Sequence, residues 1–354
     1  MPALRPESTF QIAERMLGRR PDRFEAFRPG VGGGDSYAYR LWVGREAMLL
    51  KVKKQPGSPI GIYFHSRLQA EGIPVPKLIA FQPNAGPNGE ACAIWEWIEG
   101  LPAEWGPGQP CPYDEASLGT LLRRLHSLRF DGAFGFLGDD LQHRDYTPDA
   151  GLGPVSARWS RFFHCDSAAQ HYLENGYLDP HEAELLSKLP ERMQDALDQA
   201  EPRLLHMGDL MHSGNLIVEP GSGRILAIVD YVEAMAGDPL WELAWFQYYF
   251  AEYPFAREPF NLERFWEAYG VVYDPQSPLA RFYLAAILLF EKLRFYDPAS
   301  PRGQWAILTV KDILRGFNHT GNYVPLAAHR VRRRRTRRWP QTRSLALGSS
   351  VWVG

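Results

Sequence analysis

The chain has 354 residues, with 39 basic and 41 acidic side chains, 45% hydrophobic and 13% aromatic residues. This composition excludes a disordered or fibrous protein and leaves room for one large or two modest domains. Charge is unevenly placed: residues 330–354 hold eight Arg and no acid, so residues 1–329 keep 31 basic against 41 acidic side chains, a net −10. Cys92, Cys111 and Cys165 are too scattered for a disulfide framework or a zinc site. The first residues, MPALRPESTF, lack the apolar stretch of a secretion signal, and the longest clean apolar run is Phe282–Phe290. That run is far short of the roughly 18 residues a membrane helix needs, so the expectation is a cytoplasmic protein with no membrane contact.

Taken in order, residues 8–18 read as a short helix capped by Ser8 or Thr9. After the Gly-rich stretch Gly32-Gly33-Gly34-Asp35-Ser36, residues 37–43 alternate as a strand does. Residues 47–52 form its hairpin partner across Gly44-Arg45. A helix is expected over 59–70, an extended Pro74-Val75-Pro76 leads to a strand over 77–81, and residues 91–98 read as a buried strand. Residues 101–113 are rich in Pro and Gly, and beyond them the pattern turns helical. Helices are expected near 114–128, 156–174, 180–200, 240–251, 261–270, 279–294 and 304–316. Within 204–230, two short apolar strands, 215–218 and 225–229, flank a Pro-Gly-Ser-Gly turn.

That second hairpin lies between HMGDLMHSGNL (206–216) and IVDYVEAMAGDPLWELA (228–244). Asp209, Asn215 and Asp230 supply hard oxygen donors of the kind Mg²⁺ takes alongside phosphates. An Asp that is not a metal ligand accepts or orients a hydroxyl proton. The Gly32–Ser36 loop offers backbone N–H groups to phosphate oxygens, and Lys51 on the following hairpin reaches the same phosphates. Each feature also has a plainer reading. The triple Gly is a flexible loop, Lys51 an edge-strand lysine, Asp209 a turn cap, and Asp230 the cap of a helix starting near Glu233.

The combination GGGDSYAYRL, the LLKV holding Lys51, GIPVPKLI, IWEWIEG, LRRLHSL, GDLMHSGNLIV, IVDY and GDPLWELA resembles the aminoglycoside phosphotransferase/choline kinase family. Within it the spacing is most similar to the hygromycin B phosphotransferases. The resemblance runs from about residue 27 to 318. It implies an α+β, two-lobed protein-kinase-like fold with an antiparallel-sheet N-terminal lobe (1–98) and a mostly helical C-terminal lobe (99–328), followed by a basic tail (329–354). It also implies an ATP- or GTP- and Mg²⁺-dependent transfer of the γ-phosphoryl group to a small-molecule hydroxyl. By resemblance Asp209 is the catalytic Asp that receives or orients the substrate hydroxyl. Asn215 and Asp230 hold Mg²⁺, Gly32, Gly33, Gly34, Ser36 and Lys51 hold phosphates, and the connector Glu96-Trp97-Ile98 meets the base. Asp238 is a structural acid, and Glu242 stands where relatives carry Asp.

The acidic body favours a cationic acceptor such as an aminoglycoside, with Glu233 and Glu252 as its candidate contacts. Three features depart from the family pattern. His206 lies three residues before Asp209 and Asn215 six after, one more than usual on each side. Residues 58–70 contain no acid to pair with Lys51, since Glu71 comes at the helix end. The Arg-rich tail has no counterpart and reads as a solvated extension; no nucleic-acid-reading motif accompanies it, so no specific nucleic-acid partner is expected. These departures leave a second reading open, a catalytically inactive kinase-like nucleotide-binding or scaffold protein.

Overall fold

The structure is a computed structural model. It describes residues 6–27, 36–58, 60–104, 109–137, 143–144, 156–206, 210, 214–252, 259–293 and 297–317. Gly32, Gly33, Gly34, Asp209 and the tail 329–354 lie outside the described residues.

The N-terminal lobe is a five-stranded antiparallel sheet of β1 (Arg23–Phe27), β2 (Ser36–Val43), β3 (Glu46–Lys53), β4 (Leu78–Gln82) and β5 (Cys92–Glu96), ordered β1-β2-β3-β5-β4. The expected hairpin forms with Val43 opposite Glu46, and Gly44 takes a left-handed φ of 62° that a side chain would resist. Alternation sorts the two faces. Tyr39, Leu41, Met48, Leu50 and Val52 pack on Ile12 and Ala13 of helix α1 (Pro6–Leu17), burying one face. The other face carries Ala93 and Trp95 into the main core, beneath Phe64 and Leu68 of α2 (Ile62–Ala70). Strand β1 escapes the sequence reading because five residues give too short a pattern; Phe24 secures it by edge contacts with Phe10 and Tyr39.

The second lobe is mostly helical. Its first long helix, α3 (Glu115–Ser127), is capped by Asp114, whose carboxylate accepts from the Ser117 N–H at 2.8 Å. It buries Leu118, Leu121, Leu122 and Leu125, the four leucines at helical spacing. The helix expected over 156–174 is cut short. Residues 159–161 make only a 3₁₀ turn, and α4 (Cys165–Glu174) follows. Here Trp159, Phe162 and Phe163 are buried as anchors, with Trp159 stacked on Phe162 at 4.8 Å and its indole donating to the Tyr283 hydroxyl at 2.7 Å. The helix expected over 180–200 is split into α5 (Pro180–Arg192) and α6 (Gln194–Asp198). Pro190 inside α5 has no N–H for the Leu186 carbonyl, and the helix ends two residues later. The remaining helices are α7 (Pro239–Glu252), α8 (Leu262–Tyr269), α9 (Pro278–Ala286), which runs into a wider turn over Ile287–Lys292, and α10 (Pro301–Gly316).

Two small sheets complete this lobe. The predicted hairpin is β10 (Leu216–Val218) and β11 (Ile225–Ile228), extended by β6 (Leu101–Pro102). Beside it stand β7 (Gly135–Leu137), β8 (His143–Arg144), β9 (Arg203–Leu205) and β12 (Met235–Gly237), ordered β8-β7-β12-β9. Asp230 caps no helix near Glu233, since residues 232–234 form a turn and lead straight into β12. The Trp and Tyr residues of α7 serve the core, since Trp241, Trp245 and Tyr248 are buried. No described helix is long and apolar enough to cross a membrane, and all three cysteines are free thiols.

Helices α3 and α8 meet at Gly119, where a Cβ would lie 2.4 Å from the Phe265 carbonyl oxygen. Exchanging a helix-interior Gly for Ala normally stabilises by about 1 kcal/mol. Here overpacking reverses the sign, so Gly119→Ala is expected to destabilise by roughly 1–3 kcal/mol, read as a lower urea midpoint.

Candidate active site

Three of the predicted site residues meet where the two lobes face each other. Pairing of β10 with β11 sets Leu216 opposite Ile228, and the Val229 N–H donates to the Asn215 carbonyl at 2.9 Å. Asn215 and Asp230 therefore leave the open end of one hairpin side by side. Lys51, in the middle of β3, reaches across from the N-terminal sheet, and its ammonium donates to Asp230 Oδ1 at 2.9 Å. Ser36 leaves the same sheet face two residues before Ala38, which stands opposite Lys51.

Asp230 is the one described non-glycine residue with positive φ, 60°. An Asp tolerates this left-handed conformation better than a bulky residue does. The turn it makes is held from both sides. The Ile228 N–H donates to the Pro74 carbonyl at 2.9 Å, and the Tyr231 hydroxyl donates back to the Ile228 carbonyl at 2.5 Å. Helix α2 rests directly on this turn, since a Cβ at Gly61, its N-cap, would fall 2.4 Å from Tyr231 Cβ. Gly61 and Tyr231 were not singled out in the sequence; only a glycine before an apolar helix hinted at the close approach.

The missing helix acid is thereby explained in geometry. Glu71 is the C-cap of α2 and pairs weakly with Arg67 at 3.9 Å, while Lys51 takes its counter-charge from Asp230. Inside α2 stands His65, fully buried, its Nε2–H donating to the Pro76 carbonyl at 2.6 Å and its ring 4.5 Å from Trp95. Burial pushes its pKa below 6.5, against the pull of the Pro76 hydrogen bond, so the imidazole is neutral at pH 7.

The described residues on either side of Asp209, His206 and Leu210, are both buried. Upstream, the His206 N–H donates to Glu242 Oε2 at 3.1 Å, and His206 Nε2 donates to the Val229 carbonyl at 3.2 Å. Glu242 itself is fully buried and holds two donors on one oxygen, because His126 Nε2 lies 2.9 Å away. His126 Nδ1 is in turn 2.9 Å from the Tyr269 hydroxyl, whose pKa burial and the nearby Glu242 and Asp238 push well up. The phenol therefore stays protonated and keeps its hydroxyl for the ring, while the carboxylate of Glu242 can only accept, so His126 presents Nε2–H to it. The Glu242 carboxylate of α7 thus meets α3 and the end of β9 directly, and α8 joins through Tyr269 on His126. Asp238 performs the expected structural task, accepting from the Leu240 N–H at 2.9 Å and the Tyr283 hydroxyl at 2.5 Å.

The connector is partly committed within the protein. The Glu96 N–H donates to the Lys77 carbonyl at 2.9 Å, the Glu96 carboxylate accepts from the Lys77 N–H at 3.1 Å, and the Trp97 N–H points to the Ala47 carbonyl at 3.4 Å. Ile98 follows without joining the strand. Glu233 sits in the turn before β12, and Glu252 ends α7. Among the described residues no cluster of His, Cys, Asp and Glu forms a ready metal site. Asn215 and Asp230 supply a carboxamide and a carboxylate side by side, a hard oxygen set that fits Mg²⁺ better than a softer metal.

The sequence profile described as the phosphotransferase enzyme family matches residues 27–280. The chain belongs to this family. No curated protein sequence matches it. Among solved structures, a thermostable mutant of aminoglycoside phosphotransferase APH(4)-Ia, in a ternary complex with ADP and hygromycin B, is similar at TM-score 0.57 and 18% identity. The match covers 87% of this chain and 98% of that one. A putative fructosamine-3-kinase from Haemophilus somnus 129PT is similar at TM-score 0.58 and 14% identity, over 87% and 97% of the two chains. Spectinomycin phosphotransferase APH(9)-Ia, in complex with ADP and spectinomycin, is similar at TM-score 0.51 and 14% identity, over 90% and 96%. At these identities the likeness speaks for the two-lobed kinase-like fold, in agreement with the resemblance read from the motifs.

Two expectations follow for this family member. Glu242→Ala strips the acceptor from the His206 N–H and from His126, and is expected to cost on the order of 3 kcal/mol in urea unfolding. For His65, the unfolded chain takes up its proton first as pH falls through 6.5, so stability declines with falling pH below that value. His65→Gln is expected to flatten the dependence of the urea midpoint between pH 7 and 5.

Proposed function

We propose that the protein transfers the γ-phosphoryl group of ATP to a hydroxyl of a small molecule, with Asp209 as the residue that receives or orients the hydroxyl proton. The observation that carries this reading is the 2.9 Å pair between Lys51 and Asp230, with Asn215 alongside. It joins the lysine of one lobe to the oxygen donors of the other at the place where a nucleotide's phosphates would lie. Lys51 would steady the phosphates together with the backbone of Gly32, Gly33, Gly34 and Ser36. The connector Glu96-Trp97-Ile98 would meet the base. Asn215 and Asp230 would hold Mg²⁺, which when bound neutralises phosphate charge.

In the transfer the acceptor oxygen forms a bond to the γ-phosphorus while the bond to the β,γ-bridging oxygen breaks. The acceptor's proton passes to Asp209 and then to solvent, and ADP leaves. The chain's contribution is positioning and charge neutralisation, for which rigid placement matters more than reactivity. Glu242 and His126 hold the strand end that leads into the Asp209 segment, and Lys51 keeps Asp230 oriented. The net −10 of residues 1–329 supports a cationic acceptor, with Glu233 and Glu252 as the acidic side chains proposed to meet it.

Incubation with ATP, Mg²⁺ and a panel of aminoglycosides, amino alcohols and sugars is expected to yield one acceptor heavier by a single phosphate in mass spectrometry. Asp209→Ala is expected to lower that turnover at least about 10²-fold. Nucleotide binding with no turnover on any acceptor, in wild type and variant alike, would favour the inactive scaffold reading instead.

A further inference from the structure

The sheet face that carries Lys51 continues toward the connector as a ladder of indole rings and guanidinium groups. Directly opposed residues of antiparallel strands share a face. Ala38 opposite Lys51, Arg40 opposite Leu49 and Trp42 opposite Ala47 therefore all project from the side on which Lys51 meets Asp230. Trp97 extends the Trp42–Ala47 row, because its N–H points to the Ala47 carbonyl. The Arg40 guanidinium lies 4.1 Å from the centre of the Trp97 ring and 4.8 Å from Trp42, while Arg23 covers Trp42 at 3.9 Å. Ala47 lies opposite Trp42 and its carbonyl takes the Trp97 N–H, so the residue between the two indoles carries only a methyl group. Glu99 completes the hold by accepting from Arg40 Nη2 at 2.9 Å.

One side chain of β2 thus grips the connector at two points, Trp97 and Glu99, on either side of Ile98. Lys51 and Ala47 are four residues apart, about 13 Å of strand, so the phosphate end and the connector end of this face are separated by roughly the length of a nucleotide. We infer that Arg40 is a positioning residue for the nucleotide base: stacked on Trp97 and paired with Glu99, it fixes the connector against the sheet before the nucleotide arrives. This rests on the phosphotransferase reading above. Without Arg40, binding must order the connector as well, which weakens ground-state affinity and leaves the chemical step untouched. Lysine is a poor substitute, since it keeps the charge and loses the flat face that lies on the indole.

The test is calorimetric titration of ADP and of a non-hydrolysable ATP analogue, both with Mg²⁺, into the full chain and its variants. Arg40→Ala is expected to bind about tenfold more weakly, equivalent to about 1.4 kcal/mol, and Arg40→Lys to recover only part of the loss. The double variant Arg40→Ala/Trp97→Ala is expected to bind no more weakly than the weaker single variant, because both remove the same latch. With a turnover assay, KM for ATP rises about tenfold while kcat stays within about twofold. If Arg40→Ala does not fold, Arg40→Lys and Glu99→Gln carry the same comparison. Undiminished affinity in the Arg40 variants, or fully additive losses with Trp97→Ala, overturns the inference alone. A wild-type chain that binds no nucleotide overturns it together with the phosphotransferase reading.

Discussion

The contact on which the rest of this molecule depends is the ion pair between Lys51 and Asp230. An isolated pair of this kind, half open to water, adds only about 1 kcal/mol or less to stability. Its importance is positional. It is the point where the antiparallel sheet and the β10–β11 hairpin hold each other's charged groups, across 179 residues of chain. Everything near it is arranged to hold the Asp230 turn still: Pro74 on the Ile228 N–H, Tyr231 folded back on the Ile228 carbonyl, and the start of α2 lying on Tyr231. The left-handed backbone at Asp230 persists because these contacts over-determine it.

A second centre of order is the buried carboxylate of Glu242. Burying a charge without partners is costly, and Glu242 is compensated by a backbone N–H and an imidazole, the latter backed by a tyrosine. The arrangement ties α3, α7 and α8 to the strand end that leads into the Asp209 segment. The Glu242 side chain reaches both the His206 N–H and the His126 ring. The two centres are joined through His206, which bonds Glu242 with its N–H and the Val229 carbonyl with its ring.

A good part of this was legible in the chain itself. The β2–β3 hairpin, the leucine face of α3 and the β10–β11 hairpin are local patterns, decided by periodicity and turn residues within a dozen positions. The family resemblance came from short motifs whose chemistry is compact along the sequence. What escaped were short strands such as β1 and β12, which exist only because a neighbouring strand pairs with them. The interruptions in the expected helices escaped too: one follows Pro190, the other the burial of Trp159 and Phe162.

The sequence by itself therefore determined the class of each lobe and the absence of a carboxylate in α2, and it singled out Lys51, Asn215 and Asp230 as candidates. Only the tertiary structure decided that Lys51 takes Asp230 as its partner, that Gly61 is required by Tyr231, and that Arg40 lies on Trp97. Those choices depend on which side chains from distant segments come within a few ångströms once sheet, hairpin and helices are packed. No spacing along the chain encodes that distance, because it is set by the joint fit of all the elements between them.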